Sequence, residues 1–170
     1  MSEEVQSVLE ALEIAMNTEK RGREFYQKVA RETDYLEARQ MFLSLAEDEM
    51  EHLNWLKAQR DSLLSRGEWL PYQAPPAHIQ KEGPPIFSDQ QVKENVGKYR
   101  SEIPVLRLGL EMEESSRAFY EKAAGKTDDE EGKAMFYHLA AWERGHWEIL
   151  KREYDLLMEE YRRHMGFEPF

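Results

Sequence analysis

The chain repeats itself. Set from Leu12, "LEIAMNTEKRGREFYQKVARETDYLEARQMFLSLAEDEMEHLNWLK" lies without a gap beside "LRLGLEMEESSRAFYEKAAGKTDDEEGKAMFYHLAAWERGHWEILK", set from Leu106. Glu19 meets Glu113, Phe25-Tyr26 meets Phe119-Tyr120, Met41-Phe42 meets Met135-Phe136, Glu49 meets Glu143 and His52 meets His146. Roughly twenty of some fifty positions agree, far more than unrelated segments share. A sequence of this kind must fold the same unit twice and bury the two copies against each other.

Each copy reads as a helical hairpin. In its first helix Leu12, Ala15, Met16, Glu19, Tyr26 and Val29 fall at helical spacings along one face. Asp34 with Glu37 predicts a capping-box start for the second helix, and Thr127 with Glu130 predicts the same in the second copy. The second helix carries Met41, Phe42, Leu45, Glu49, His52, Leu56 and Leu63 on one face. Its counterpart carries Met135, Phe136, Leu139, Glu143, His146 and Leu150, then continues through Tyr154, Leu157, Met158 and Tyr161. That extension overshoots one hairpin and suits a longer packed helix or a subunit contact.

The copies are joined by a different kind of segment. Five of the seven prolines lie in residues 66–100, so its first part is irregular. Ser88 with Gln91 predicts the cap of a short helix to about Val96. Ser101 and Pro104 open the third long helix, with proline in the tolerated first turn. Long unstructured loops are uncommon inside compact domains, but a crossover along a bundle is an exception. The expectation is an all-α, ferritin-like four-helix bundle forming one domain over residues 1–170. Its hairpins would span 3–66 and 101–165, with a crossover at 67–100 holding a short extra helix.

A formal net charge of −11 disfavours nucleic acid and anionic membranes as partners and suits cations. Cysteine is absent, which excludes disulfides, thiolate zinc sites and iron–sulfur centres built from this chain. "MSEEVQSVLEAL" has no basic segment followed by an apolar run, and no apolar stretch approaches the roughly 20 residues that span a bilayer. The expected location is the cytoplasm.

Within this acidic chain four glutamates stand in the wrong place. Glu19, Glu49, Glu113 and Glu143 lie in the apolar stripes, where a carboxylate without counter-charge costs several kcal/mol. No lysine or arginine shares those stripes; Arg23 and Arg117, one turn on, reach at most the outer oxygens. Two divalent cations would balance the four acids. His52 and His146, three residues after a glutamate and on the same face, would add one neutral nitrogen to each metal. One glutamate from each of two helices, with Glu-x-x-His from each of the other two, is the pattern of ferritin-like di-metal carboxylate proteins. Oxygen-rich ligation with two imidazoles suits iron or manganese, though adventitious zinc can also occupy such a site.

Other residues carry weaker signals. Tyr26 and Tyr120 stand two turns from Glu19 and Glu113, where each is either an ordinary core tyrosine or a hydrogen-bond donor to a ligating carboxylate. Asp48 could orient a histidine on another helix, but its repeat partner is Trp142, so that role would not be duplicated. His78, His138 and His164 read as solvated surface, and the tryptophans as core or interface packing.

"EKRGREFY" with "EDEMEH", and "EESSRAFY" with "WERGH", resemble the rubrerythrin-type branch of the ferritin-like superfamily. The resemblance covers both hairpins. It implies Glu19, Glu49, His52, Glu113, Glu143 and His146 as ligands of two iron ions, with Glu49 and Glu143 bridging. Two departures are visible. Rubrerythrins proper append a cysteine-bearing rubredoxin domain, so the chain resembles the stand-alone short forms. They also carry a further carboxylate one turn from the ligand of the third helix, where this chain has Leu110 and Ser116.

The resemblance implies an oxidoreductase that reduces hydrogen peroxide or dioxygen with electrons from an external donor protein, working as a homodimer. Two other readings stand beside it. One is ferroxidase-type iron handling, which needs a shell of many subunits for storage. The other is a non-catalytic helical module in which metal only staples the bundle.

Overall fold

A computed structural model describes residues 3–71, 85–87 and 89–166. They form five helices: α1 (Glu3–Glu32), α2 (Leu36–Arg66), α3 (Asp89–Tyr99), α4 (Glu102–Lys126) and α5 (Glu130–His164). No strand occurs among them. Helices α1 and α2 pack closely as one hairpin, α4 and α5 as the other, while α3 lies against α5. This is the ferritin-like bundle the repeat predicts.

The apolar stripes are buried as their spacing requires, and they divide into two cores. One joins Tyr26, Met41, Phe42 and Leu45 of the first hairpin to Leu106, Ile149 and Leu150 of the second. The other joins Leu12, Leu53 and Leu56 to Tyr120, Met135, Phe136 and Leu139. Repeat partners exchange places between the cores: Tyr26 and Phe42 sit in one, Tyr120 and Phe136 in the other. The hairpins are therefore related by a local two-fold, with the inward acids between the two apolar layers. Truncating Phe42 or Phe136 to alanine would cost about 3–5 kcal/mol, since each fills space that its neighbours cannot close.

Both predicted caps differ from what forms. Helix α2 starts after Tyr35, in extended conformation and with no side-chain cap, while Asp34 is exposed. The reason lies at Thr33, which is buried and donates its hydroxyl to Glu102 at 2.8 Å, drawing the turn inward so that the helix starts later. In the second copy Asp129 is the cap, accepting from the backbone N–H of Glu131 and Gly132 at 2.9 and 3.1 Å. Thr127 instead donates back to the Ala123 carbonyl at 2.9 Å and closes α4. The Ser88–Gln91 cap lies outside the described residues, and α3 runs to Tyr99 rather than Val96. Pro104 does occupy the first turn of α4. At the other end of α2, Gly67 turns left-handed at φ 73°, a conformation other residues rarely adopt, and its N–H caps Leu63.

The overshoot of α5 is a packed helix. Leu157 joins the core with Phe87, Val92 and Tyr99, and Tyr154 and Tyr161 pack against them. Buried Glu153 accepts the backbone N–H groups of Ile86 and Phe87 at 3.1–3.2 Å. At the near end of the crossover, Gln59 exchanges two hydrogen bonds with the backbone of Leu70, and Ser62 donates to the Glu68 carbonyl. Both ends of the joining segment are thus tied to the hairpins. Among the described residues no helix is long and apolar enough to cross a membrane.

Candidate metal centre

The six predicted residues come from all four long helices and meet in one place. Each is at most 3% exposed. They fall into two overlapping donor groups, Glu19–Glu49–His52–Glu143 and Glu49–Glu113–Glu143–His146, each with its ligand atoms within 4.8 Å of one another. Glu49 and Glu143 belong to both. His52 Nδ1 lies 3.2 Å from Glu19, 3.8 Å from Glu49 and 3.7 Å from Glu143. His146 Nδ1 lies 3.4 Å from Glu49, 3.7 Å from Glu113 and 4.0 Å from Glu143.

Glycine makes one of these approaches possible. A Cβ on Gly22 would stand 3.2 Å from Glu49 Cδ, tighter than side chains ordinarily tolerate, so the bare backbone of α1 lets Glu49 lie against it. The repeat places Ser116 at the equivalent point of α4.

The two tyrosines take the polar role. Tyr26 of α1 donates to Glu113 of α4, and Tyr120 of α4 donates to Glu19 of α1. The bonds cross between hairpins, as antiparallel neighbours about a two-fold require. Burial and the charge of Glu113 push the Tyr26 hydroxyl well above its ordinary pKa, and burial and Glu19 do the same to Tyr120, so both stay protonated donors.

Asp48, buried on α2, stands 3.3 Å from Nε2 of His146 and fixes the outer face of that ring. In the other half, Trp142 sets its indole edge-on to His52 with centroids 4.6 Å apart. Arg117 turns outward to Glu114 and Glu121, and neither it nor Arg23 forms an ion pair with the inward acids among the described residues. Of the remaining histidines, His164 is exposed and His78 lies outside the described residues. His138 is half-buried and interacts with its surroundings, not the freely solvated side chain expected.

The acids crowd one another. Burial and the Glu19 charge raise Glu49 to about 8, and burial with Glu49 and Glu113 raises Glu143 well above the carboxylate range. Burial alone would lower His52, but the bond and charge of Glu19 outweigh it and raise the imidazole to about 9. Against the same burial, Asp48, Glu113 and Glu49 hold His146 well above its usual value. Glu19 and Glu113 move down despite burial, because carboxyl, imidazole and phenol donors converge on them. Among the described residues, His146 Nδ1 and Glu143 Oε1 are buried yet lack a hydrogen-bond partner, and both belong to the donor groups. Loss of a proton from each would leave a lone pair aimed among carboxylates, which fits a divalent cation.

A cavity of about 430 Å³ opens onto this cluster between α1 and α4. Sequence reasoning missed it, and also missed Gly22. The available signal was the pair of small residues, Gly22 and Ser116, at matching repeat positions beside the ligands.

Comparison with known proteins agrees with this geometry. The Rubrerythrin family profile matches residues 10–154. A hypothetical protein from Pyrococcus furiosus has a similar structure, with a TM-score of 0.64 and 26% identity over 89% of this chain and 90% of that one. No curated protein matches.

Proposed function

This chain belongs to the rubrerythrin family, and from that premise we propose that it is a di-iron oxidoreductase reducing hydrogen peroxide or dioxygen with electrons from an external donor protein. The observation that carries the reading is the sharing of Glu49 and Glu143 between two donor groups, since only a pair of cations makes use of two carboxylates in common. Glu19 and His52 would complete one position, Glu113 and His146 the other. Iron bound there would supply two electrons and Lewis acidity to an oxygen substrate.

The chain's own part is positioning. Tyr120 and Tyr26 hold the outer oxygens of Glu19 and Glu113, which keeps each carboxylate turned inward. Asp48 accepts the Nε2–H of His146 and so leaves Nδ1 free to ligate. Apolar cores on either side exclude water, and the α1–α4 cavity gives a small oxidant its way in.

The test is metal analysis of protein purified without oxygen, followed by peroxide titration of the ferrous form. We expect two irons per chain, oxidation at a defined stoichiometry and turnover once a reductant is added. Ferrous protein left unchanged by peroxide would refute the reading. Sizing the same sample separates the proposed homodimer from a storage shell.

A further inference from the structure

The cavity above the centre is larger than its proposed oxidant needs. A water molecule takes up about 30 Å³ of liquid volume, so hydrogen peroxide, with two heavy atoms, would fill a small part of 430 Å³. Cavities of about 300–1,000 Å³ are the size that holds organic ligands.

Its lining also has a carboxylate part and an apolar part. The floor is polar, formed by Glu49, Glu113 and Glu143, and Glu143 carries the buried Oε1 that has no hydrogen-bond partner among the described residues. Met112 and Phe119 of α4, both half-buried, line its wall. At the mouth stand Ile14 of α1 and Leu108 of α4, which are 53% and 52% exposed and occupy equivalent repeat positions. Either one alone would be unremarkable surface. Paired across the entrance to a buried acidic site, they form with Met112 and Phe119 an apolar collar that a hydrocarbon group can enter, beside the polar side chains of Thr18, Arg21, Glu111, Ser115 and Ser116.

We propose that the substrate class of this site is the organic hydroperoxide, ROOH, with its oxygen head on the carboxylate floor and a compact R group in the collar of Ile14, Leu108, Met112 and Phe119. This rests on the redox reading above. The reaction is ROOH + 2 e⁻ + 2 H⁺ → ROH + H₂O: the O–O bond breaks, the peroxidic oxygens are reduced, the electrons come from the external donor protein and the protons from solvent.

Two measurements test it. In the first, zinc-loaded protein, which binds without turning over, is titrated with cumyl alcohol while the Met112 and Ile14 methyl groups are followed by NMR. Saturable shifts of those methyls are expected. In the second, ferrous protein is mixed with cumene hydroperoxide or hydrogen peroxide, for the native chain and for Leu108→Trp, an exposed position where the fold tolerates the change. The native chain should react with cumene hydroperoxide at least as fast as with hydrogen peroxide. Narrowing the collar should lower the ratio of the two kcat/KM values by about tenfold or more. Oxidation by hydrogen peroxide alone, or methyl groups that never move, would overturn this proposal and leave the preceding one standing. Indifference to both peroxides would remove both.

Discussion

In one half of the centre His146 turns its outer ring nitrogen to the carboxylate of Asp48; in the other, the repeat equivalent of Asp48 is Trp142, whose indole packs across the His52 ring. Inside that layer the halves match residue for residue, down to the crossed tyrosine bonds. Outside it they part. A residue that would hold a cation together with the opposite hairpin is constrained in both copies. The partner of an outer nitrogen serves one metal position only and is free to differ. The outcome is unequal halves: a carboxylate fixes ring orientation and raises ligand basicity, whereas an indole packed against the ring supplies no acceptor. His52 Nε2 is accordingly left without a hydrogen-bond partner among the described residues.

Stripping the metal acts on both halves together and should have the largest effect. Glu49 and His52 hold protons more tightly folded, at about 8 and about 9, than at their ordinary values of 4.5 and 6.5. The folded chain therefore binds more protons than the unfolded one across that range, and the chelated protein should lose stability as pH rises from about 4.5 to about 9. Bound dications displace those protons, so the loaded protein should hold or gain stability over the same window. Thermal melts against pH, with chelator and with zinc, measure the two slopes. A metal-free protein that grows more stable above pH 7 would contradict the described cluster.

Glu143→Ala touches both donor groups and Glu19→Ala only one. Metal analysis should show the first losing both ions and the second retaining the one beside His146. Next in size is Asp48→Asn, which should weaken the tighter position by about 10–100-fold in calorimetric titration and bring the halves closer together. Trp142→Asp approaches equality from the other side, strengthening the position of His52 by up to about tenfold; two binding steps that remain as far apart as before would show that the outer partners are not the cause. The smallest effect is a difference. Tyr26→Phe and Tyr120→Phe should each cost about 1.5–3 kcal/mol, as buried bonds to charged acceptors do, and match each other within about 0.5 kcal/mol in denaturant unfolding.

Much of this was written in the repeat. Comparing the two copies picks out Glu19, Glu49, His52 and their partners, and helical spacing places them on buried faces without knowledge of the packing. What stayed hidden depends on how the hairpins meet. Spacing sets Tyr26 near Glu19 on its own helix, but the bond goes to Glu113, because only antiparallel docking brings α4 alongside. The caps failed for a similar reason: Thr33 is claimed by Glu102, some seventy residues away, and no local window contains that contact. Glu153 was likewise illegible, since beside its neighbour Arg152 its partners are backbone groups of the crossover. The role of Asp48 was visible as a possibility and its direction was not.

Because Tyr26–Glu113 and Tyr120–Glu19 are equivalent bonds made in opposite directions, half the chain already specifies both. A lone α1–α2 unit, paired about a two-fold with a twin of itself, would assemble the same six donors and would set Asp48 behind both imidazoles. The present molecule holds such a pairing within one chain, with an indole where the second aspartate would stand.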